Sequence, residues 1–192
     1  MNTTNVPFHL EIRRAWDGSE LLFVVGPGAA GKSMLGRSLA PRMRRALIDL
    51  DEVFLERVGD INAFIRDAGY EAYKLANSHL ARALVAEANT PAIFIASSGF
   101  LTSDNPPDVL AANRALLTAG YSLSLLPALQ LQAAVAIIAA RQMTRVFNAG
   151  YVREEARARA RFDTYKAAGD LLVCTAACPD IVAGLLMPHL AE

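Results

Sequence analysis

The residues most clearly able to do chemistry are Lys32 and Ser33, which close the segment GPGAAGKS at residues 26–33. This segment matches the pattern G-x-x-x-x-G-K-[ST] and lies between an apolar run, LLFVV, and a helix-forming run, SMLGRSLA. In such a loop, glycines let backbone N–H groups point at phosphate oxygens, the lysine reaches the outer phosphates, and the hydroxyl can bind Mg²⁺. We therefore expect a phosphate-binding loop, against the alternative of a turn that is merely rich in glycine and alanine.

A pair of acids follows one helical stretch later, as Asp49 and Asp51 in the run ALIDLDE. Alternate residues of a strand share a face, and ligands of α/β sheets bind at the carboxyl ends of strands. We expect the two acids to lie together there, one serving a metal ion and the other a substrate hydroxyl. The alternative is two surface acids that open a helix, where the helix dipole favours negative charge.

Composition limits the classes of protein and partner. The chain has 192 residues, 53% of them hydrophobic, and a formal net charge of zero, which suits one folded domain over residues 1–192. A neutral chain lacks the charge that binds nucleic acid or an anionic membrane. The first residues do not resemble a signal peptide, and the most apolar run, AAVAIIAA, is far shorter than the ~20 residues that span a bilayer. We expect a cytoplasmic protein without nucleic-acid or membrane partners.

Strand-like and helix-like runs alternate along the chain, which predicts a parallel sheet covered on both faces. The expected fold is a three-layer α/β/α arrangement around a five-stranded parallel sheet. An extra strand within residues 1–20 is predicted beside the first core strand, because FHLEIRR precedes the turn dipeptide Asp17-Gly18. Cys174 and Cys178 have neither zinc-site nor redox spacing, and they are expected to be free thiols. The predicted core strands are LLFVV, RALIDLD, AIFIA, YSLSLLPA and DLLVCTA.

The phosphate loop alone does not name a reaction, because GTPases, motor ATPases and small-molecule kinases share it. The guanine-binding pattern N-K-x-D does not occur in the sequence. The run AIFIA ends in Ser97-Ser98-Gly99, without the acid that follows the corresponding strand in motor ATPases. These observations favour a small-molecule kinase.

One charged helix, VREEARARARFDTYKAAG, contains arginines at i, i+4 spacing with interleaved acids. This pattern is typical of a solvated helix face. We assign Arg153, Arg157 and Arg159 to such a face. Arg161, which stands four residues before Tyr165, is not assigned to it.

Taken in order, GPGAAGKS, LIDLDEVFLERVGDINAFIRDAG, SSG, RQMTR and RFDTY resemble the shikimate kinase family over about residues 21–189. The D-x-D run with its following helix is the distinctive part. The resemblance implies a doubly wound sheet, a mobile lid at about residues 142–156, and transfer of the γ-phosphoryl of ATP to a ring hydroxyl with Mg²⁺. The implied acceptor is a small carboxylated molecule.

The loop pattern and the resemblance together imply site residues. Lys32, Asp51 and Arg145 are expected to be catalytic, and Ser33 and Asp49 to bind Mg²⁺. The residues assigned to ATP are Gly26, Gly28, Ala29, Ala30, Gly31, Lys32, Ser33, Met34, Arg141, Arg145 and Pro179. The residues assigned to the acceptor are Asp51, Lys74, Ser98, Gly99 and Arg161, of which Arg161 matches an arginine that pairs with the substrate carboxylate.

Departures from the family pattern concentrate on the acceptor side. Lys74 stands where a second carboxylate-binding arginine is usual, and lysine cannot form the planar bidentate pair. Asn77 replaces a glutamate, and Ser97-Ser98-Gly99 replaces three glycines; Ala-Ala-Cys precedes Pro179 where the family has Asn-Arg. We expect a shikimate kinase-like enzyme, monomeric or weakly dimeric. Two alternatives stay open: a kinase of this fold for another polyol, sugar or nucleotide-like acceptor, and a nucleotide-binding regulatory module without turnover.

Overall fold

The computed structural model describes residues 7–145 and 151–190. The strands in these ranges are β1 (Phe8–Ile12), β2 (Leu22–Val25), β3 (Ala46–Asp49), β4 (Ala92–Ile95), β5 (Tyr121–Leu126) and β6 (Leu171–Thr175). The helices are α1 (Lys32–Met43), α2 (Leu50–Arg57), α3 (Ile61–Ala68), α4 (Tyr70–Glu87), α5 (Pro107–Thr118), α6 (Leu131–Arg145), α7 (Tyr151–Ala167) and α8 (Pro179–Leu190). The strands form one sheet in the order β1-β6-β5-β2-β4-β3. The predicted α/β fold is confirmed, with six strands instead of five.

The central strand β2 divides the core into two layers because its side chains alternate between the faces of the sheet. Leu22 and Val24 join a cluster with residues of α1 and α8, whereas Phe23 and Val25 join a cluster with residues of α4, α5 and α7. All four side chains are fully buried. A continuous apolar run is what a parallel strand covered on both faces requires.

The N-terminal strand lies in a different place from the one predicted. β1 pairs antiparallel with β6, with Phe8 opposite Thr175, so the prediction that it lies beside the first core strand is wrong. Both edges of β2 are occupied, by β4 and β5, and the outer edge of β6 is where an additional strand can pair. The following residues cross the amino ends of the strands, where Trp16 packs edge-on against Tyr121 at 5.0 Å between ring centres.

The loops after β2, β3 and β4 share one end of the sheet, because these strands run parallel. This carboxyl end is where the predicted site residues converge. Within residues 7–145 and 151–190, no helix is both long enough and apolar enough to cross a membrane. Both cysteines are free, Cys174 buried and Cys178 exposed.

Candidate active site

The phosphate loop, residues 26–33, connects β2 to α1 as predicted. Gly26 has φ +152°, and a methyl group there would overlap the carbonyl oxygen of Leu125. Gly31, with φ +107°, forms the N-cap of α1, so the amino end of that helix faces the loop. The Lys32 ammonium donates to the carbonyl oxygens of Gly26 at 2.9 Å and Pro27 at 3.2 Å. The loop thus combines backbone amides, a helix dipole and a lysine, which together suit a polyphosphate.

A mostly apolar cavity of about 350 Å³ opens beside the loop. Ala29, Ala30 and Gly31 line it from the loop, Met34 from α1, and Pro179 from the start of α8. Arg141 of α6 also lines it, and its guanidinium donates to Ala29 O at 3.1 Å and to Ala176 O at 3.4 Å. The structure therefore brings together the residues predicted to flank adenine. A flat cavity between apolar side chains and a guanidinium can hold an aromatic base.

A second cavity, of about 480 Å³, adjoins the loop on the side of β3 and contains Lys32, Ser33, Asp49 and Asp51. The expectation that both acids lie on one strand is wrong, because β3 ends at Asp49 and α2 begins at Leu50. Asp49 is the N-cap of α2, and its carboxylate accepts from the Asp51 amide at 3.2 Å. A helix start nevertheless brings both carboxylates into the same cavity.

Hard oxygen donors in this cavity suit Mg²⁺, which takes few protein ligands and completes its shell with water and phosphate. Ser33 offers a hydroxyl, and Asp49, only 6% exposed, offers a carboxylate. The described residues contain no group of three or more His, Cys, Asp or Glu side chains arranged to hold a metal ion.

Asp51 belongs to a hydrogen-bonded chain of side chains from three elements. The Ser97 hydroxyl donates to Asp51 Oδ1 at 2.5 Å, and Asn77 Nδ2 of α4 donates to Ser97 Oγ at 2.9 Å. Tyr73 lies next to this chain, 3.5 Å from Asn77 Nδ2. Burial, and then the charge of Asp51, raise the pKa of the Tyr73 phenol far above its usual value. The phenol of Tyr73 therefore stays neutral next to Asp51.

The segment of residues 97–99, here called the acceptor loop, lies in the connection between β4 and α5 and contacts α7. Arg161 Nη1 donates to Ser98 Oγ at 3.3 Å, and the Tyr165 hydroxyl donates to Ser98 O at 2.9 Å. A methyl group added to Gly99 would lie 3.3 Å from Tyr70 Oη and 3.8 Å from Arg161 Nη2. Three predicted acceptor residues, Ser98, Gly99 and Arg161, are therefore neighbours.

Lys74, which was also predicted to bind the acceptor, lies next to two carboxylates. Its buried ammonium donates to Glu71 Oε1 at 2.9 Å, lies 3.5 Å from Asp104 Oδ2, and donates to the carbonyl oxygen of Asp104. It also lies 4.7 Å from the centre of the Tyr70 ring. Burial tends to raise the pKa of Asp104, but a hydrogen bond from Thr102 and the charge of Lys74 outweigh it and hold that pKa below its ordinary value. Lys74 therefore sits in an ion cluster in which two carboxylates surround one ammonium.

The three arginines of α7 that were assigned to a solvated face are exposed as predicted. The accessible fractions of their side chains are 61% for Arg153, 54% for Arg157 and 48% for Arg159. Glu154 between them is buried, with 8% of its side chain accessible, and it pairs with Arg157 at 3.0 Å. The lid prediction is described only in part: Arg145 ends α6, but its side chain and residues 146–150 lie outside the described residues.

Several neighbours of the site were not predicted. Gln142 of α6 lies over the phosphate loop, since a methyl group on Gly28 would lie 2.7 Å from its Nε2. Tyr70, Tyr73 and Asn77 share one side of α4 at helical spacing and reach the acceptor loop or the hydrogen bonds of Ser97. The i, i+3, i+7 spacing of these polar residues after Gly69 was the available signal.

Comparison with known proteins agrees with this geometry. A family model described as shikimate kinase matches residues 28–183. A pentafunctional AROM polypeptide from Malassezia globosa is 33% identical over 96 residues, which cover 50% of this chain and 6% of that polypeptide. A shikimate kinase from Legionella pneumophila is 41% identical over 54 residues, 28% of this chain and 31% of that enzyme. The chain thus matches less than a third of the length of each of these relatives.

Solved structures share the fold. A shikimate kinase from Acinetobacter baumannii in complex with shikimate has a TM-score of 0.70 at 18% identity, covering 90% of this chain and 94% of that one. A gluconokinase from Sinorhizobium meliloti has a TM-score of 0.59 at 14% identity, covering 93% and 94%. Because the family model spans most of the sequence, from the phosphate loop to α8, this chain belongs to the shikimate kinase family.

Proposed function

We propose that this protein is an ATP-dependent kinase that phosphorylates a hydroxyl group of a small carboxylated polyol, with shikimate as the first candidate. One observation carries the proposal: Asp51, held by Ser97, opens into the same cavity as Lys32 and Ser33 of the phosphate loop. A carboxylate directed at the end of a polyphosphate site is what an accepting hydroxyl needs. The described relatives named as shikimate kinases support the choice of acceptor.

The nucleotide would lie with its base in the cavity beside Arg141 and Pro179 and its phosphates on the amides of the phosphate loop. Ser33 and Asp49 would hold Mg²⁺, which supplies charge neutralisation at the phosphate oxygens. Lys32 would stabilise the negative charge of the transferred group, and the resemblance assigns a similar role to Arg145. This arrangement relies on positioning and electrostatics, which are the main sources of rate in phosphoryl transfer. ATP use supports a cytoplasmic setting.

On the acceptor side, Asp51 would accept a hydrogen bond from the attacking hydroxyl and receive its proton as the new phosphorus–oxygen bond forms. The bond between the γ-phosphorus and the bridging oxygen breaks in the same step, and ADP leaves. Its fixed bond from Ser97 restrains the carboxylate and reduces the freedom lost at the transition state. Arg161 would pair with the acid group of the acceptor from α7. These roles follow the positions of the groups around the acceptor loop.

A second candidate acceptor is a polyol or sugar without an acid group. It is favoured by the ion cluster around Lys74, because an ammonium already paired with Glu71 and Asp104 offers little charge to a substrate carboxylate. A panel of hydroxylated carboxylic acids and neutral polyols would separate the two candidates. Kinetics with each acceptor at saturating MgATP give the ratio of kcat/KM values directly.

Replacement of Asp51 by Asn tests the catalytic assignment. We expect Asp51→Asn to lower kcat by about 10³-fold, because an amide cannot take the hydroxyl proton. Affinity for MgADP, measured by calorimetry, should change little. Asp67→Asn on exposed α3 is the control and should behave as the unaltered protein. Full turnover in Asp51→Asn would reject the role of Asp51, and a failure of every acceptor to raise ATP consumption would reject the kinase in favour of a regulatory nucleotide-binding module.

A further inference from the structure

Two glutamate–arginine pairs lie side by side on α7 and look equivalent in sequence. Glu155 pairs with Arg159 at 3.0 Å, and both side chains are substantially exposed, 36% and 48%. Glu154 pairs with Arg157 at the same distance; the Arg157 side chain is 54% accessible, but the Glu154 side chain is only 8% accessible. A nearly buried carboxylate is costly unless a positive group accompanies it. The Glu154 pair therefore has a structural setting that the Glu155 pair lacks.

That setting is a small cavity of about 70 Å³ between the nucleotide and acceptor sides of the site. Gly28 lines it from the phosphate loop, and Ser98 lines it from the acceptor loop. Glu154, Arg157 and Arg161 line it from α7. Gly28 and Ser98 also line the larger cavity that contains Lys32 and Asp51, so the small cavity borders the path of a phosphoryl group from the phosphate loop to the acceptor loop.

The described cationic side chains near the junction have different settings. Lys32 lines the larger cavity and donates to carbonyl oxygens of the phosphate loop. Lys74 is occupied by two carboxylates, and Arg161 donates to Ser98 on the acceptor side. Arg157 stands one helical turn before Arg161 and lines the small cavity together with Gly28 of the phosphate loop.

We propose that Arg157 binds the terminal phosphoryl group of the nucleotide and that the buried Glu154 is its positioning residue. The proposal rests on the proposed function, because it takes the terminal phosphate to lie between Gly28 and Ser98. Glu154 holds one side of the guanidinium and leaves the remaining N–H groups to phosphate oxygens. A planar fork of donors fixed in this way loses less freedom on binding than a lysine ammonium.

The experiment compares the full chain with Arg157→Ala and with the matched control Arg159→Ala. Calorimetry gives the affinities for MgADP and for the magnesium complex of β,γ-imido-ATP, which differ by the terminal phosphoryl group. We expect Arg157→Ala to lower the ratio of analogue affinity to MgADP affinity about tenfold, since a charge-assisted contact to phosphate is lost. Glu154→Gln should lower the ratio about threefold, because the arginine is kept but held less firmly. Arg159→Ala and Glu155→Gln should leave it unchanged.

The ratio for Arg157→Ala overturns the proposal if it equals that of the unaltered chain or if Arg159→Ala lowers it equally. An unchanged ratio with weaker shikimate binding would also overturn it, since Arg157 would then serve the acceptor. The melting temperature of each variant separates contact loss from misfolding, and Glu154→Gln provides a second route if Arg157→Ala does not fold. No acceptor is needed, so the absence of kinase activity would refute the proposed function while this ratio still decides the role of Arg157.

Discussion

The nucleotide and acceptor sides of this site lie against the same end of one sheet, yet they are built differently. The phosphate loop is one continuous segment whose binding groups are backbone amides and a helix terminus. The acceptor side is assembled from side chains of α2, α4, the acceptor loop and α7, linked by hydrogen bonds such as Asn77 to Ser97 and Ser97 to Asp51.

This difference explains where the sequence can vary. Every residue type supplies a backbone amide, so phosphate binding by the loop depends on its backbone conformation. Glycines allow that conformation. The acceptor side depends on the identity of each side chain, and a change at one residue alters the partners of the next. Departures from the family pattern at Lys74, Asn77 and Ser97 therefore fall where a new acceptor can be accommodated without disturbing nucleotide binding.

The strongest test of this contrast is Gly26→Ala. The added methyl group would overlap Leu125 O, and φ +152° is unfavourable for alanine, so we expect a loss of about 3 kcal/mol in the free energy of unfolding and loss of MgADP binding. Gly59→Ala is the control, because Gly59 has φ +124° but nothing within 4 Å of the added carbon. Gly59→Ala should lower the free energy of unfolding only by the cost of the positive φ angle, about 1 kcal/mol, and should keep the affinity for MgADP. Urea unfolding and calorimetry measure both, and equal costs in the two variants would refute the steric argument.

Ser97→Ala tests the acceptor side with a smaller change. The substitution removes the bond that restrains Asp51 and leaves Asn77 without its partner, so we expect kcat to fall about tenfold. MgADP affinity should stay the same. Ser122→Ala is the matched control: it also removes a buried hydroxyl, bonded to Asp170 Oδ2 at 2.9 Å, but at the opposite end of the sheet. If kcat falls equally in both variants, general destabilisation and not the restraint on Asp51 is responsible.

The same contrast separates what the sequence could predict from what it could not. The phosphate loop and β2 were predictable because motif, strand and helix are contiguous, and local spacing defines them. The position of β1 was not, because an alternating run indicates a strand but not its neighbour in the sheet. Glu71 could have been paired with Lys74 from i, i+3 spacing, whereas Asp104 lies 30 residues away along the chain. The two Glu–Arg pairs of α7 have i, i+3 and i, i+4 spacing, which the sequence shows, but only the tertiary fold decides that Glu154 is covered and Glu155 is not.

Asp104→Asn tests whether the charge around Lys74 affects binding of the acceptor. Two carboxylates around one ammonium leave the cluster with an excess negative charge, which repels an acceptor carboxylate. Removing one of the two carboxylates removes this excess, so we expect the KM for a carboxylated acceptor to fall about threefold and that for a neutral polyol to stay unchanged. Asp108→Asn, in the first turn of α5, is the control. Initial-rate kinetics at pH 7 measure this, and the effect should disappear at acid pH: the pKa of Asp104 is lowered in the folded protein, so its charge is lost only as pH falls through that lowered value. An equal change for neutral polyols would contradict the charge argument.

The smallest effect is expected at the opposite end of the sheet, where neither ligand binds. The Asp170 carboxylate accepts hydrogen bonds from Arg14 Nε at 2.9 Å and from the Ser122 amide at 2.8 Å. Burial alone would raise the pKa of Asp170, but these bonds outweigh it and lower that pKa. Asp170→Asn should therefore reduce the free energy of unfolding by about 1 kcal/mol at pH 7.

Because the folded pKa of Asp170 lies below the unfolded value, its contribution is complete above the unfolded pKa and is lost as pH falls through the folded one. The difference in urea stability between the unaltered chain and Asp170→Asn should accordingly be constant near neutral pH and shrink below about pH 4. MgADP affinity and acceptor KM should not change in this variant. A shift in either would mean that the amino end of the sheet is coupled to the site, and the separation of the two sides would then no longer explain their different tolerance to substitution.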